Sequence, residues 1–189
     1  MRLDYNRQEN HVKKRKKLPE SVQKTLLEST RSEWRKHPRF GGKAKFFMKI
    51  HRDLLDGSAK LSRGIEQLLD VPGSDVGEAV ARMKFLPFSH NLIGFAHHHH
   101  EIEDHGYFPQ FARMYPKLNR GFALLDGDHK VLDAALDETQ MALNALNRAT
   151  VTRDSLAALH KGGLALEKIL NRHIWDEEEV IIPIFLRHG

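Results

Sequence analysis

The sequence predicts an all-α fold: an antiparallel up-down-up-down four-helix bundle with an additional N-terminal helix. Three observations predict it. Apolar side chains recur at steps of three and four along four long segments, the repeat of a helix that buries one face. No segment alternates apolar and polar residues as a half-buried strand does. The connections between the long segments are short, which favours antiparallel neighbours. With 189 residues, 40% hydrophobic and 29% charged, the chain is long enough for one domain with a sizeable core.

Residues 1–17 read as a basic, flexible tail. They hold seven Lys and Arg against Asp4 and Glu9, which accounts for the whole formal charge of +5. The KKRKK run has no interleaved aromatic residues, so a solvated terminus is expected rather than a nucleic-acid-binding arm. Residues 18–42 form an N-terminal helix and linker: Pro19 opens an amphipathic stretch over 20–37, and His37-Pro38 and Gly41-Gly42 close it. The bundle occupies 43–189. Its first helix runs from Lys43 to about Asp70, with Phe47, Leu54, Leu61, Ile65 and Leu68 as its stripe. VPGSD breaks the chain at 71–75, and 77–84 is a short helix or a loop before Pro87. The next helix covers about Phe88 to Gly106, followed by a proline-bracketed turn over 108–116. A third spans roughly Arg120 to Ala149, with Phe122, Leu125, Leu132, Leu136, Leu143 and Leu146 inward, and a fourth runs from near Asp154 to about Ile182.

Composition narrows the chemistry. The absence of Cys excludes disulfides, thiolate metal sites and cysteine nucleophiles. The polar start MRLDYN shows no secretory signal, and the stretch FLPFSHNLIGFAHHHH is too short and too rich in His to span a bilayer, so a cytoplasmic protein without a membrane partner is expected. The unusual quantity is 13 His.

Those histidines form a repeated constellation. Residues 99–109 and 173–183 share HxxxE with a Pro six residues after the Glu: His99, Glu103, Pro109 and His173, Glu177, Pro183. Residues four apart on a helix share one face, displaced by about 6 Å along the axis. The two prolines are expected to end or kink each helix just past the pair. The other two bundle helices each place a His on the inward stripe, His51 and His129. Buried imidazoles and carboxylates without partners are costly, and a metal centre is the best account of four His and two Glu in one core.

Six donors are too many for one tetrahedral zinc. If both carboxylates bridge two ions, each ion that prefers about six donors keeps room for a solvent-derived bridge and an exogenous ligand. Imidazole and carboxylate suit iron, manganese or zinc.

The pattern of His51, then His99 with Glu103, then His129, then His173 with Glu177 resembles the hemerythrin-like family, also called HHE cation-binding domains. HHxxED leading to YFP and HIxxEE leading to IIP are similar to the motifs of its second and fourth helices, and the resemblance covers roughly 43–187. It implies a four-helix bundle around a non-haem di-iron centre that binds oxygen. By that resemblance His51, His99, His129 and His173 are terminal iron ligands, and Glu103 and Glu177 are bridges between two Fe ions. Oxygen-carrying members place another His four residues after the helix-three His, where this chain has Asp133, and use HxxxxD on the last helix, where Glu178 stands at that position. The chain therefore looks more like bacterial or sensor-type members. Asp133 is read as an acceptor for an imidazole N–H, with direct ligation or exposure as alternatives.

Plainer readings stand beside these. Helical geometry alone also allows His100, three residues before Glu103, but Ile174 occupies the place equivalent to His100, so the repeat selects His99 as the ligand, and His97, His98, His100 and His105 are assigned to the surface or to places behind the ligands. Gly162-Gly163 reads as close helix packing, with a ligand path as the alternative, and Tyr107 and Trp175 as packing residues. Three functions are open: a di-iron module that binds or senses dioxygen or nitric oxide, a di-iron enzyme that consumes peroxide, oxygen or nitric oxide, and an iron-homeostasis protein. Enzyme status is undecided, nucleic acid is not an expected partner, and a homo-oligomer is compatible with the sequence.

Overall fold

The computed structural model describes residues 3–148 and 151–188. Arg2 of the basic segment, Ala149 at the expected end of the third bundle helix and the terminal Gly189 lie outside them. Helices are the regular elements of the described residues, with no strand among them. In chain order the helices are α1 (Glu20–Gln23), α2 (Arg31–Trp34), α3 (Lys43–Leu69), α4 (Val76–Arg82), α5 (Phe85–Ile102), α6 (Phe108–Met114), α7 (Asn119–Arg148) and α8 (Arg153–His188). A π-helical turn at Glu103–Tyr107 joins α5 to α6. The bundle is built from α3, α5 with its continuation, α7 and α8. No helix of the described residues is long and apolar enough to cross a membrane.

The inward stripes are those that the periodicity predicts. On α3, Phe47, Leu54, Leu61, Ile65 and Leu68 are buried with His51 in line between them. The apolar core falls into two clusters. One gathers Leu54, Leu61, Ile93, Leu132, Leu136, Leu166 and Leu170. The other gathers Phe47, Phe108, Phe111, Phe122, Leu125, Ile181 and Phe185. Along every bundle helix the His and Glu residues sit where one cluster gives way to the other, so a polar layer divides the core.

Several boundaries differ from expectation for physical reasons. The helix expected over 20–37 is two single turns. Thr30 has extended backbone (φ −105°, ψ 148°) and its N–H donates to Glu33 Oε2 at 3.2 Å, so a new helix starts there. α5 begins at Phe85, ahead of Pro87, which lies in the first turn where its missing N–H breaks no helical bond. The break before it is at Lys84, in the left-handed region at φ 50°. Pro183 does not end α8, which continues to His188; Val180 to Leu186 are all buried, and that packing outweighs the lost N–H.

The largest correction concerns the expected flexible tail. Asn10, Val12, Arg15 and Leu18 are buried against the bundle, and the Arg15 side chain is 1% exposed. The charge count misses this because the two partners of Arg15, Asp128 on α7 and Asp176 on α8, lie far along the chain. Lys13, Lys14, Lys16 and Lys17 remain exposed, so only part of the basic run is solvated.

Candidate metal centre

Each bundle helix places its polar side chains in the dividing layer through helical spacing alone. His51 follows Phe47 by four residues and precedes Leu54 by three. His129 lies between Leu125 and Leu132 on α7, and His173 lies beyond Leu166 and Leu170 on α8, with Glu177 one turn further. His99 and His100 end α5, and Glu103 starts the π-turn, a widened turn of the kind that often marks functional sites. His51, Glu103 and Glu177 have no exposed surface, and His129 and His173 are 1% exposed.

Two groups of donor atoms result. One is His51, His99, Glu103 and Glu177; the other is His100, His129 and His173; within each group the atoms lie within 4.8 Å of one another. The carboxylates touch both groups. Glu103 turns Oε1 to His99 Nε2 (3.0 Å) and Oε2 toward His129 Nε2 (3.4 Å). Glu177 Oε2 lies 3.2 Å from His51 Nε2 and 3.4 Å from His173 Nε2.

The outward ring nitrogens are held from behind. His51 Nδ1 donates to Glu178 Oε1 at 3.2 Å, and His173 Nδ1 to Asp128 Oδ2 at 3.3 Å. His129 Nδ1 donates to Asp104 Oδ1 at 2.8 Å, and His100 Nδ1 to Asp133 Oδ1 at 2.7 Å. Carboxylates only accept, so each of these rings carries a proton on Nδ1, and a ring in its neutral form turns the Nε2 lone pair inward, the arrangement of a metal-ligating imidazole. His129 Nε2 and His173 Nε2 then face each other at 3.1 Å, where two lone pairs require a shared proton or a cation.

The layer is left electrostatically incomplete by protein atoms alone. His51, His99 and His100 Nε2 and both oxygens of Glu103 and Glu177 are buried without a hydrogen-bond partner among the described residues. Buried polar atoms are ordinarily satisfied, so this set fits a cation. Burial pulls His99 down to about 3 and His100 down to about 4, which keeps both neutral. Burial also acts against charge on His173, but the Asp128 and Glu177 carboxylates beside it carry it up to about 9. His51 is held well above its ordinary value, burial being outweighed by Glu103, Glu177 and Glu178. Burial and the Glu177 charge push Glu103 well above the carboxylate range, while His173 and His51 hold Glu177 well below it despite burial.

All six sequence-predicted residues, His51, His99, Glu103, His129, His173 and Glu177, meet in this layer. His100, assigned to the surface or to a place behind the ligands, is 2% exposed, stacks on His129 at 4.3 Å and belongs to the second donor group. Asp133 stands behind it as an acceptor. His97, His98 and His105 do not enter the layer. A surface groove of about 440 Å³ passes His97, His98, Asp104 and Asp133 and reaches the outer edge of His100. Tyr107 packs against Phe47 and Phe185, whereas Trp175 is 53% exposed beneath the Arg31 guanidinium. The supports Asp104 and Asp128 are not singled out by sequence reasoning; their only signal is position, one residue after a candidate ligand and one before it, whereas Glu178 is noted only for standing five residues after His173.

Comparison with known proteins adds one finding. A family model described as hemerythrin HHE cation binding domain matches residues 43–185, well over half of the chain. Neither a curated protein nor a solved structure gives a match. The matched segment contains α3, α5 and α7, α8 up to Phe185, and both groups of candidate ligands in the buried layer, and the chain belongs to the hemerythrin HHE cation-binding family.

Proposed function

We propose that the chain holds two iron ions in the buried layer and uses them to bind, and by binding to sense, dioxygen or nitric oxide. The observation that carries the reading is the placement of Glu103, with one oxygen toward each donor group. His51, His99, Glu103 and Glu177 would hold one ion. His100, His129 and His173, with a share of the two carboxylates, would hold the other. Seven donor side chains leave two ions that prefer about six donors each with room for a solvent-derived bridge and one small ligand. Iron bound there supplies electrons and an open coordination position.

The protein residues do the rest. Asp104, Asp128, Asp133 and Glu178 keep the Nδ1 protons outward and the lone pairs inward. Phe47 packs on His51 at 4.5 Å and Phe108 stacks on His129 at 5.3 Å, and such walls exclude water and admit a small apolar molecule more readily than an ion. Among the described residues no nucleophile with its own base adjoins the layer, which favours binding over group-transfer catalysis.

The test is metal analysis after anaerobic reconstitution with iron(II), with visible spectra before and after air. About two irons per chain and a charge-transfer band that appears on aeration and disappears on deoxygenation are expected. Irreversible oxidation would replace the sensing reading with the enzyme or iron-homeostasis reading. Uptake of zinc alone, or of no metal, would overturn the di-iron reading.

A further inference from the structure

The segment before the matched family region reaches the layer from two sides. Arg15 donates from Nε to Asp176 Oδ2 (2.7 Å) and from Nη1 to Asp128 Oδ1 (2.7 Å), and Nη2 reaches Asp128 Oδ2. Tyr5 adds its hydroxyl to Asp128 Oδ1 at 2.6 Å. The same Asp128 accepts the Nδ1 proton of His173. On the other side Arg31 donates from Nη1 to Glu178 Oε2 (2.5 Å), and Glu178 Oε1 accepts the Nδ1 proton of His51. Arg31 is itself fixed: Nη2 donates to the Trp175 carbonyl at 2.7 Å, and the guanidinium lies 3.9 Å over the Trp175 ring. Two arginines, 16 residues apart in sequence and on different turns of the N-terminal segment, thus end two chains of the same kind: Arg to carboxylate to imidazole to the inward lone pair.

We propose that residues 3–34 form a clamp on the metal centre, in which Arg15 and Arg31 are positioning residues that orient His173 and His51 through Asp128 and Glu178. The inference rests on the metal-binding reading above. A carboxylate behind a ligating imidazole fixes ring orientation and tautomer. It does so only if it is itself held, and a buried carboxylate with a free lone pair would turn away or take up a proton. The bidentate Arg15 and the Tyr5 hydroxyl together take three of the four acceptor directions of the Asp128 carboxylate, and His173 occupies the one that remains. Arg31 holds Glu178 by one contact, with its Nε on the neighbouring Glu179, and the two oxygens of Glu178 are divided between the guanidinium and His51. The bundle alone supplies the ligands and their carboxylates; the segment before it supplies the groups that hold two of those carboxylates still.

The test uses the full chain with Arg15→Lys, Arg31→Gln and Asp128→Asn, and Lys14→Gln as an exposed neighbour. Iron(II) affinity is measured by competition with a chelator, the visible spectrum is recorded, and folding is checked by circular dichroism. Arg15→Lys keeps a cation in the buried pair, so it remains folded if Arg15 acts through orientation. The expected result is a 10- to 100-fold loss of iron affinity and a shifted band for Arg15→Lys and Arg31→Gln, with Lys14→Gln unchanged. Arg15→Lys combined with Asp128→Asn should be no weaker than Asp128→Asn alone, because both act on one path. Unchanged affinity and spectrum in folded Arg15→Lys and Arg31→Gln would overturn the clamp and leave a structural strap. If the wild-type chain takes up no iron, the function reading fails and the clamp is read separately from the ¹⁵N imidazole resonances. Arg15→Lys should then alter His173, and Arg31→Gln should alter His51; no change in either would overturn it.

Discussion

His100 shows how a single residue changes the site. Its ring is sealed between His129 and Asp133, and its Nε2 faces the second donor group without a partner. His98, two positions earlier, is 68% exposed in its side chain and pairs with the exposed Glu101. His100→Ala is therefore expected to lower iron content from about two toward one per chain, whereas His98→Ala leaves it unchanged, as read by elemental analysis after reconstitution. His99→Ala or Glu177→Ala, which remove donors of the first group, should lower metal content at least as far. Equal iron in wild type and His100→Ala would remove that residue from the ligand set. The burial of His51, His129, His173 and Glu177 is legible because each sits on an apolar stripe at helical spacing, and that of His99 and Glu103 because they repeat the spacing of His173 and Glu177. That of His100 is not, because the internal repeat sets it against Ile174, and a repeat reports what two helices share rather than where they differ. Arg15 was illegible for another reason. Its partner Asp128 is 113 residues away, and sequence arithmetic counts charges without pairing them.

At the scale of the elements, the long helices follow from periodicity, and the surprises lie where tertiary contacts override local signals. Pro183 is carried through α8 by packing on both sides of it, and the N-terminal segment is drawn onto the bundle by Tyr5, Val12, Arg15 and Trp34. Glycines report the same contacts. At Gly127 on α7 an added Cβ would run into the Tyr5 ring, so the helix surface there is shaped to receive the N-terminal segment. At Gly162 nothing lies within 4 Å, and at Gly163 the nearest atom is Ile65 Cδ1 at 3.4 Å, an ordinary contact. Close packing thus explains Gly163 in part and Gly162 not at all. Gly162→Ala should stabilise the chain by about 1 kcal/mol through helix propensity. Gly127→Ala should destabilise it and expose residues 3–17 to protease, because the Tyr5 ring must leave its seat. Thermal unfolding and limited proteolysis of the two variants check both signs; a protected N-terminal segment in Gly127→Ala would mean that Tyr5 does not anchor it.

Across the whole molecule, the divided core couples folding to pH in two directions. In a chelator, so that no cation competes, His51 and His173 keep their protons in the folded chain above the pH at which a free histidine loses them, His173 up to about 9. The folded state then binds more protons than the unfolded one, and stability falls as pH rises from about 6.5. Glu103, also raised, acts in the same sense from the ordinary glutamate range upward. His99 and His100 act oppositely: they stay neutral down to about 3 and 4, so the unfolded chain takes up two protons below pH 6.5 that the folded chain refuses. Between pH 4.5 and 6.5 those two outweigh the one on Glu103, and stability falls on acidification as well; below that range the depressed Glu177 adds to the loss. Each unmatched proton changes stability by about 1.4 kcal/mol per pH unit. The chelated chain should therefore be most stable near pH 6.5. Metal ligands must be deprotonated, so iron displaces the protons of His51, His173 and Glu103 and removes the alkaline loss while leaving the acid one. Urea midpoints from pH 5 to 9, in chelator and with iron(II) under nitrogen, test this: a maximum near 6.5 that shifts to higher pH on loading is expected. A chelated chain that grows steadily more stable up to pH 9 would show that His51 and His173 are neutral in the fold, and that the carboxylates behind them hold ring orientation without charge.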